Sequence, residues 1–361
     1  MSAGDAALGI SWRRAGKTRP ILIGCAALLV IAFVASLAIG PVVIAPEKVV
    51  SILYDAMFHG RPTSGVDMRD AVVLLDIRLP RAVLAAIVGA ALAVAGALLQ
   101  GIFRNPLADP GLVGVSPGAA LAAVAWIVFG GTIAHHLPQF LVSHALSFAA
   151  FVGSLVAIFL LHRLATYEGR TSVANLLFAG IALGALASAG TGLIIFVASD
   201  LQLREFTFWT LGSLGAATWP RVILALPFTV ILIGGALWLA RGLDTLALGE
   251  AEAFHTGINV ERMKRAAIVI VAAGVGAAVA VSGIIGFVGL VVPHLLRLTA
   301  GPSHKSLIIG SALLGAALLT GSDIFARTAA SPAELPIGIV TAFIGAPFFI
   351  WLLRQNRRSF G

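Results

Sequence analysis

Long stretches without a charged side chain restrict this chain to a membrane-spanning fold. Residues 20–46 and 266–296 contain no Asp, Glu, Lys or Arg, and a helix needs about 20 apolar residues to cross a bilayer. Because 59% of all residues are hydrophobic and only 11% are charged, the bulk of the chain cannot form a water-soluble core. The 40 glycines suit helices that pack closely in lipid. We therefore predict an all-α integral membrane protein.

Ten apolar windows predict about ten transmembrane helices. They cover residues 20–41, 81–102, 111–131, 143–162, 173–197, 221–240, 263–282, 284–299, 305–322 and 335–354. The uncharged run 266–296 is too long for one span, and we expect it to break at Ser282-Gly283. We also expect a basic tail at residues 1–19, one transmembrane domain at 20–354 and a short tail at 355–361.

The distribution of basic residues predicts the orientation of the chain. Ten spans place both termini on one side, and that side carries about twice as many of the 24 Lys and Arg residues as the other. Basic residues accumulate on the cytoplasmic side of membrane proteins, so we expect both termini in the cytoplasm. The formal charge of +8 lies at span ends and in loops, so we expect contact with lipid and no nucleic-acid partner.

The sequence offers no catalytic or metal-binding pattern. Residues 15–18 (Ala-Gly-Lys-Thr) lack the first glycine of a nucleotide-binding loop, because position 11 is Ser11. His135 and His136 have no third ligand nearby in sequence, and the only cysteine is Cys25. We therefore expect no catalytic residues, no metal and no permanently bound cofactor. If the chain uses ATP, another subunit hydrolyses it.

Energy coupling leaves two alternatives open at this point. A proton- or sodium-coupled carrier usually keeps an ionisable group within the membrane, whereas all sixteen acidic residues here fall in loops or at span ends. This pattern weakens the interpretation as a stand-alone secondary carrier or channel. It does not exclude coordination of sodium by backbone oxygens.

Three segments between the spans are more informative. Residues 104–119 are rich in proline and glycine, which predicts either broken backbone at a gate or a plain turn. Residues 243–262, with a helix stop at Gly257, predict either a projecting knob or a solvated connector. The aromatic-rich region predicts a short, partly inserted helix at 202–214 or an interfacial anchor.

Three arginines lie on the outer side in this topology, against the overall charge bias. Arg78 and Arg81 are three residues apart at the start of the second span, and Arg327 follows the ninth. Snorkelling of long side chains to the membrane interface explains them as well as a functional role does.

Several stretches, taken together, resemble one family. They are Arg78-Leu-Pro-Arg81, Gln100 and residues 89–96, 104–119, 209–214, 246–262, 282–297 and 334–351. The set is similar to the permease subunits of bacterial ATP-binding-cassette importers for iron-siderophores, heme and cobalamin. The likeness covers nearly everything from the second span onward. It implies a homodimer of ten-helix chains around a central translocation path in the bacterial inner membrane.

The resemblance also implies partners and site residues, and it makes the chain a transport subunit rather than an enzyme. A periplasmic substrate-binding protein would dock its acidic side chains on Arg78, Arg81 and Arg327. Asn105 and Leu107 would form a cytoplasmic gate. Two cytoplasmic ATPase subunits would hydrolyse ATP and grip the coupling loop at 243–262. The residues implied there are Leu248, Gly249, Glu250, Ala251, Ala253 and Gly257.

The segment around the predicted outer helix looks most like the heme-importing branch of this family. The resemblance implies that Arg204 pairs with a heme propionate at the entrance, beside Phe208 and Trp209. Cobalamin permeases have a similar Leu-Arg segment, so ferric siderophores and cobalamin stay open as alternatives. A stand-alone secondary transporter ranks after them.

Overall fold

The fold is an α-helical bundle with one very short strand pair. The computed structural model describes residues 3–40, 42, 44–58, 66–168, 170–301 and 303–357. Strands β1 (Thr166–Tyr167) and β2 (Arg170–Thr171) form an antiparallel hairpin. The helices are α1 (Ala3–Ala38), α2 (Pro46–Phe58), α3 (Val66–Val72), α4 (Leu79–Ile102), α5 (Val115–Ala134), α6 (Gln139–Ala165), α7 (Val173–Phe196), α8 (Asp200–Thr210), α9 (Trp219–Leu246), α10 (Glu250–His255), α11 (Val260–Ser282), α12 (Val288–Ala300), α13 (His304–Thr328) and α14 (Ile337–Arg357).

The described residues contain eight helices that are long and apolar enough to cross a membrane. One of them is a continuous helix, Met68–Ile102, in which the π-helical segment Val73–Arg78 joins α3 to α4. The other seven lie in α1, α5, α6, α7, α9, α11 and α13. Two shorter apolar helices, α12 and the Ile337–Trp351 part of α14, occupy the two remaining predicted windows. The prediction of an all-α integral membrane protein is confirmed.

The segment boundaries differ from the sequence prediction in several places. The predicted N-terminal tail is helical from Ala3 and runs directly into the first span. The predicted loop 243–262 is helical at both ends, because α9 continues to Leu246 and α11 begins at Val260. The predicted outer helix 202–214 is α8, which ends at Thr210. Of the predicted tail 355–361, residues 355–357 belong to α14, and 358–361 lie outside the described residues.

Helices α2 and α3 were not predicted. The α2 segment is short and amphipathic, and it buries Val49 and Ile52 against Leu37 and Leu74. A scan for runs of about 20 apolar residues does not detect such a helix.

The centre of the bundle is α4, whose residues from Leu84 to Ile102 are almost all buried. Glycines allow its backbone to touch two neighbouring helices. A Cβ added to Gly96 would overlap the carbonyl of Gly289 in α12, and one added to Gly89 would overlap Gly315 in α13. Small residues of this kind permit close helix packing where lipid supplies no hydrophobic driving force.

The bundle has two ends, which we name after the short helices that they carry. At the α8 end, the segment after α8 meets the end of α11, because Ser213 N donates to the carbonyl of Ser282 at 2.8 Å. At the α10 end, α10 joins α9 to α11. The predicted break at Ser282-Gly283 is confirmed, since α11 ends at Ser282 and Gly283 has a φ of 69°. Residues 283–287 then run without helical structure to α12, whose Gly289 lies against Gly96.

Candidate functional site

An ionic network at the α8 end contains two of the three predicted docking arginines. Arg81 Nε donates to Asp323 Oδ2 at 3.0 Å and its Nη2 donates to Oδ1 at 2.9 Å. The remaining Nη1 of Arg81 donates to Glu334 Oε1 at 2.9 Å. Arg327, one helical turn after Asp323, lies 3.8 Å from that carboxylate and donates to the carbonyl of Ser36 at 2.6 Å. The network joins α1, α4, α13 and the segment that leads to α14.

The Arg78 side chain caps the end of α1 by hydrogen bonds to backbone carbonyls. Its Nη1 donates to the carbonyls of Leu37 and Ala38 at 2.7 and 2.9 Å, and its Nη2 donates to the carbonyl of Val42. These carbonyls belong to the last turn of α1 and to the residues after it, which have no helical partner. The Arg78 guanidinium therefore donates to backbone carbonyls that the helix itself leaves without a hydrogen-bond donor.

The sequence prediction assigns Arg78, Arg81 and Arg327 to the outer side as docking residues, and in this structure all three side chains are buried. They are only 3%, 6% and 3% exposed, because internal carboxylates and carbonyls surround them. Buried charges persist when partners satisfy their donors, and here the partners come from the same chain. Docking of a partner on these side chains stays a prediction.

Helix α8 carries the predicted entrance residues and is held in place by side-chain hydrogen bonds. Ser199 and Gln202 form a capping box at its start. The Gln202 side chain also donates to the carbonyls of Ile127 and Val128, at 3.3 and 3.2 Å, which holds α8 against α5. Phe206 is buried in the same contact. The helix is thus fixed to the bundle by one face.

The opposite face of α8 presents a cation and an aromatic ring to the surroundings. Arg204 and Phe208 are both exposed, and the guanidinium carbon lies 5.8 Å from the ring centroid. Trp209 is different, since it is half-buried, packs against the core and stacks on Phe206 at 6.4 Å. The structure therefore brings Arg204 and Phe208 together and turns Trp209 inward.

The predicted gate residues lie where α4 ends, at the α10 end. Asn105 and Leu107 are both exposed, and Asn105 Oδ1 accepts a hydrogen bond from Leu107 N at 2.9 Å. The backbone turns sharply there, with a φ of 47° at Arg104. Asn105 and Leu107 therefore line a tight, accessible turn. Their role as a gate stays a prediction.

The interrupted backbone of 104–114 packs beside the start of α12, where Pro110 lies against Gly289. A 3-10 turn, Pro110–Val113, is capped by the Asp109 carboxylate, which accepts from Gly111 N at 2.7 Å. Burial raises the pKa of Asp109, and that hydrogen bond opposes the rise. Gln100 in α4 donates to the carbonyls of Gly289 and Leu290 at 3.4 Å. Irregular backbone at membrane depth survives where protein buries it or where it lines a cavity.

Helix α10 projects at the other end of the bundle and carries three of the six predicted coupling residues, and the other three flank it. Gly249 and Gly257 flank it with φ values of 145° and 82°, which favour glycine, so the predicted stop at Gly257 is confirmed. Leu248 is 76% exposed, and Glu250 and Ala251 are also exposed.

Two details of α10 differ from the sequence prediction. Ala253 was predicted to contact a partner, but its side chain is fully buried within this chain. Phe254 was missed, although it is 74% exposed. It borders a groove of about 610 Å³ that Glu250, Ile258 and Glu261 also line. An exposed aromatic residue beside a groove is typical of a protein contact.

A bundle of apolar helices with interrupted backbone between them is the architecture of a multi-pass membrane protein, and such backbone is tolerated where protein buries it or where it lines a path. Comparison with known proteins specifies the class further. The model of the FecCD transport family matches residues 28–355, and the chain belongs to that family. It is a permease subunit of an ATP-binding-cassette importer and not an enzyme, since the ATPase of such importers is a separate subunit.

Individual relatives agree on the class and differ in their cargo. The chain is 43% identical over 305 residues to the hemin transport system permease protein of Yersinia pestis, covering 84% of this chain and 86% of that one. It is 45% identical over 294 residues to the cobalamin import system permease protein of Halobacterium salinarum, covering 81% and 76%. A solved structure described as an inward-facing metal-chelate type ABC transporter superposes with a TM-score of 0.80 at 31% identity, covering 93% and 99%.

Proposed function

We propose that this permease imports heme, delivered by a periplasmic binding protein at the α8 end and driven by ATPase subunits bound at the α10 end. The observation that carries the proposal is the exposed pair Arg204 and Phe208 on α8. Heme has anionic propionates and a flat apolar ring. A guanidinium beside an aromatic face offers a matching partner for each part.

The relatives support two cargoes. A hemin permease and a cobalamin permease resemble this chain at similar identity. Arg204 alone does not separate the two, because cobalamin carries an anionic phosphodiester. The flat, apolar face of heme matches the exposed ring of Phe208 better than the amide-covered rim of cobalamin does. Cobalamin import is the second candidate, and a ferric siderophore follows.

The assembly that we propose is a homodimer in the bacterial inner membrane, with two copies of the chain around a central path. The α10 helices with Leu248 and Phe254 would sit in clefts of two ATPase subunits. The distribution of Lys and Arg favours a cytoplasmic location for the α10 end and both termini. Movement of the ATPases would then shift α10 and reorient the path, a rigid-body form of gating.

Uptake into proteoliposomes tests the proposal directly. The chain is reconstituted with its ATPase subunit, ATP is enclosed, and binding protein loaded with heme, cobalamin or a ferric siderophore is added outside. We expect ATP-dependent accumulation of heme that a nucleotide-site mutation in the ATPase abolishes. Accumulation of another cargo alone would overturn the assignment of substrate. Uptake that does not require ATP would instead support a secondary transporter.

Two substitutions test whether α8 takes part in heme uptake. Arg204→Gln and Phe208→Ala should each lower heme uptake by about tenfold, because each removes one contact worth about 1–2 kcal/mol. Arg69→Gln is the matched control, since Arg69 is exposed and lies on α3, away from α8. Equal losses in all three variants would contradict a specific role for α8.

A further inference from the structure

Lys264 is a buried charged residue beneath α10. Its side chain is only 2% exposed, although it lies in the second turn of α11. Nζ donates to Glu250 Oε1 at 2.9 Å and to the carbonyl of Thr171 at 3.1 Å. It also lies 3.6 Å from Glu261 Oε1. The single ammonium group therefore contacts α10, α11 and the β1–β2 hairpin.

The hairpin is held to α11 from two directions. The carbonyl of Thr171 accepts from Lys264, and Thr171 N donates to Glu261 Oε2 at 2.9 Å. Thr171 is itself only 2% exposed, so these bonds are shielded from water and stronger than exposed ones. Only Ser172 separates Thr171 from the start of α7 at Val173. Any shift of the hairpin therefore moves the start of α7.

Among the described residues, the ion pair between Lys264 and Glu250 joins α10 to this hairpin contact. The chain between α10 and α11 is short, and Ile258 N donates to the carbonyl of Ala253 at 3.1 Å. This connection links α10 to α11 without Lys264. It does not reach the hairpin, which lies more than 80 residues earlier in the sequence, with Thr171 and Glu261 separated by 90 positions.

We infer that Lys264 is a positioning residue, which makes α10, α11 and the β1–β2 hairpin move as one unit and so passes displacement of α10 to α7. The inference rests on the proposed function, in which ATPase subunits displace α10. A lysine is suited to this role because its ammonium group has three donors and can bond three elements at once. Loss of the charge would leave Glu250 and Glu261 without their shared cation and would remove one of the two bonds that hold Thr171 to α11.

Lys264→Met and Lys264→Arg test the inference, with Lys305→Met as the matched control, because Lys305 is an exposed lysine at the same end of the bundle. The first measurement is the amount of cargo moved per ATP hydrolysed in proteoliposomes. We expect Lys264→Met to retain ATPase binding and to lower this ratio by about tenfold, within the range of coupling-network mutations. Lys264→Arg should restore most of it, and the control should match the wild type.

The second measurement needs no cargo and so separates this inference from the proposed function. Spin labels are placed at Glu168→Cys in the hairpin and His255→Cys in α10, both exposed positions, with Cys25→Ala to remove the native thiol. We expect a narrow distance distribution that Lys264→Met broadens and Lys264→Arg leaves narrow. A purely structural lysine would lower thermal stability without separating cargo movement from ATP hydrolysis.

Either of two results for Lys264→Met would overturn the inference. An unchanged ratio in Lys264→Met, or an unchanged distance distribution, would show that the direct connection between α10 and α11 carries the movement. If Lys264→Met does not assemble, Glu261→Ala decides, because it removes the acceptor for Thr171 N. ATPase binding is measured in parallel, since Glu261 also lines the groove beside Phe254. An unchanged ratio in that variant would also overturn the role of the hairpin contact.

Discussion

Asp323 is a carboxylate buried between two arginines, with only 1% of its side chain exposed. It accepts hydrogen bonds from Arg81 and lies 3.8 Å from Arg327. Asp323→Asn keeps the shape of the side chain and removes its charge, so two buried guanidinium groups lose their common counter-ion. We expect the free energy of unfolding to fall by about 3–5 kcal/mol, the usual cost of breaking a buried pair. Thermal or denaturant unfolding of the purified protein measures this loss.

Glu334→Gln is the matched control for that substitution. Glu334 also accepts a hydrogen bond from Arg81, at 2.9 Å, but its side chain is 41% exposed. Water screens such a pair, so the substitution should cost about 0–1 kcal/mol. Similar losses for the two variants would show that burial of Asp323 does not set the strength of the network.

The same residues show how far the sequence predicts a site. Arg81 stood out because a charge at the start of an apolar span is unusual, but its partner Asp323 lies 242 positions away. Only the fold brings the two together, so the sequence could not show that this arginine is satisfied internally. Arg327 and Asp323 are four residues apart in one helix, and that spacing is a signal that could have been used.

At the scale of helices, the sequence predicted the features that depend on local chemistry. The ends of α10 and α11 fall at glycines with positive φ, Gly257 and Gly283, as predicted. The inward orientation of Ala253 and the existence of α2 were missed, because both depend on what packs against a short helix. Local backbone preference is readable from a sequence, whereas the buried face of a six-residue helix is set by tertiary contacts.

The contact between α4 and α12 provides a test at this scale. An added Cβ at Gly96 would overlap the carbonyl of Gly289, and backbone on both sides leaves no flexible atom to move aside. We expect Gly96→Ala to separate the two helices and to lower the unfolding free energy by about 1–3 kcal/mol, as for other overpacked cores. The shift of the thermal unfolding midpoint in detergent measures this effect.

Gly24→Ala is the control for helix propensity. Gly24 lies within α1 and has no atom within 4 Å of the position of an added Cβ. Alanine is the better helix former, so this change should be neutral or stabilise by up to about 1 kcal/mol. If both alanine variants stabilise the protein, the close approach of α4 to α12 is not required.

For the whole molecule, composition and apolar windows were enough to predict the all-α class and the ten apolar segments, whereas the short helices α2 and α3 were missed. The two windows from the uncharged run 266–296 were the least regular. They correspond to α11, which is full-length, and α12, which is short because residues 283–287 cross part of the bundle without helical structure. Cargo was not predictable to the same degree, since it depends on a few exposed residues such as Arg204 and on partner proteins outside this chain.

The orientation of the bundle yields the final prediction. The excess of Lys and Arg in the loops at the α10 end predicts that this end is cytoplasmic and that α8 faces outward. The test uses a Cys25→Ala background with one new cysteine in each variant, Asp200→Cys in α8 or His255→Cys in α10. Asp200 and His255 are both exposed, so a reagent in solution can reach either position. A membrane-impermeant maleimide should label Asp200→Cys in intact spheroplasts and should label His255→Cys only after lysis. Labelling in the reverse order would place α10 outside, where a cytoplasmic ATPase has no access to it.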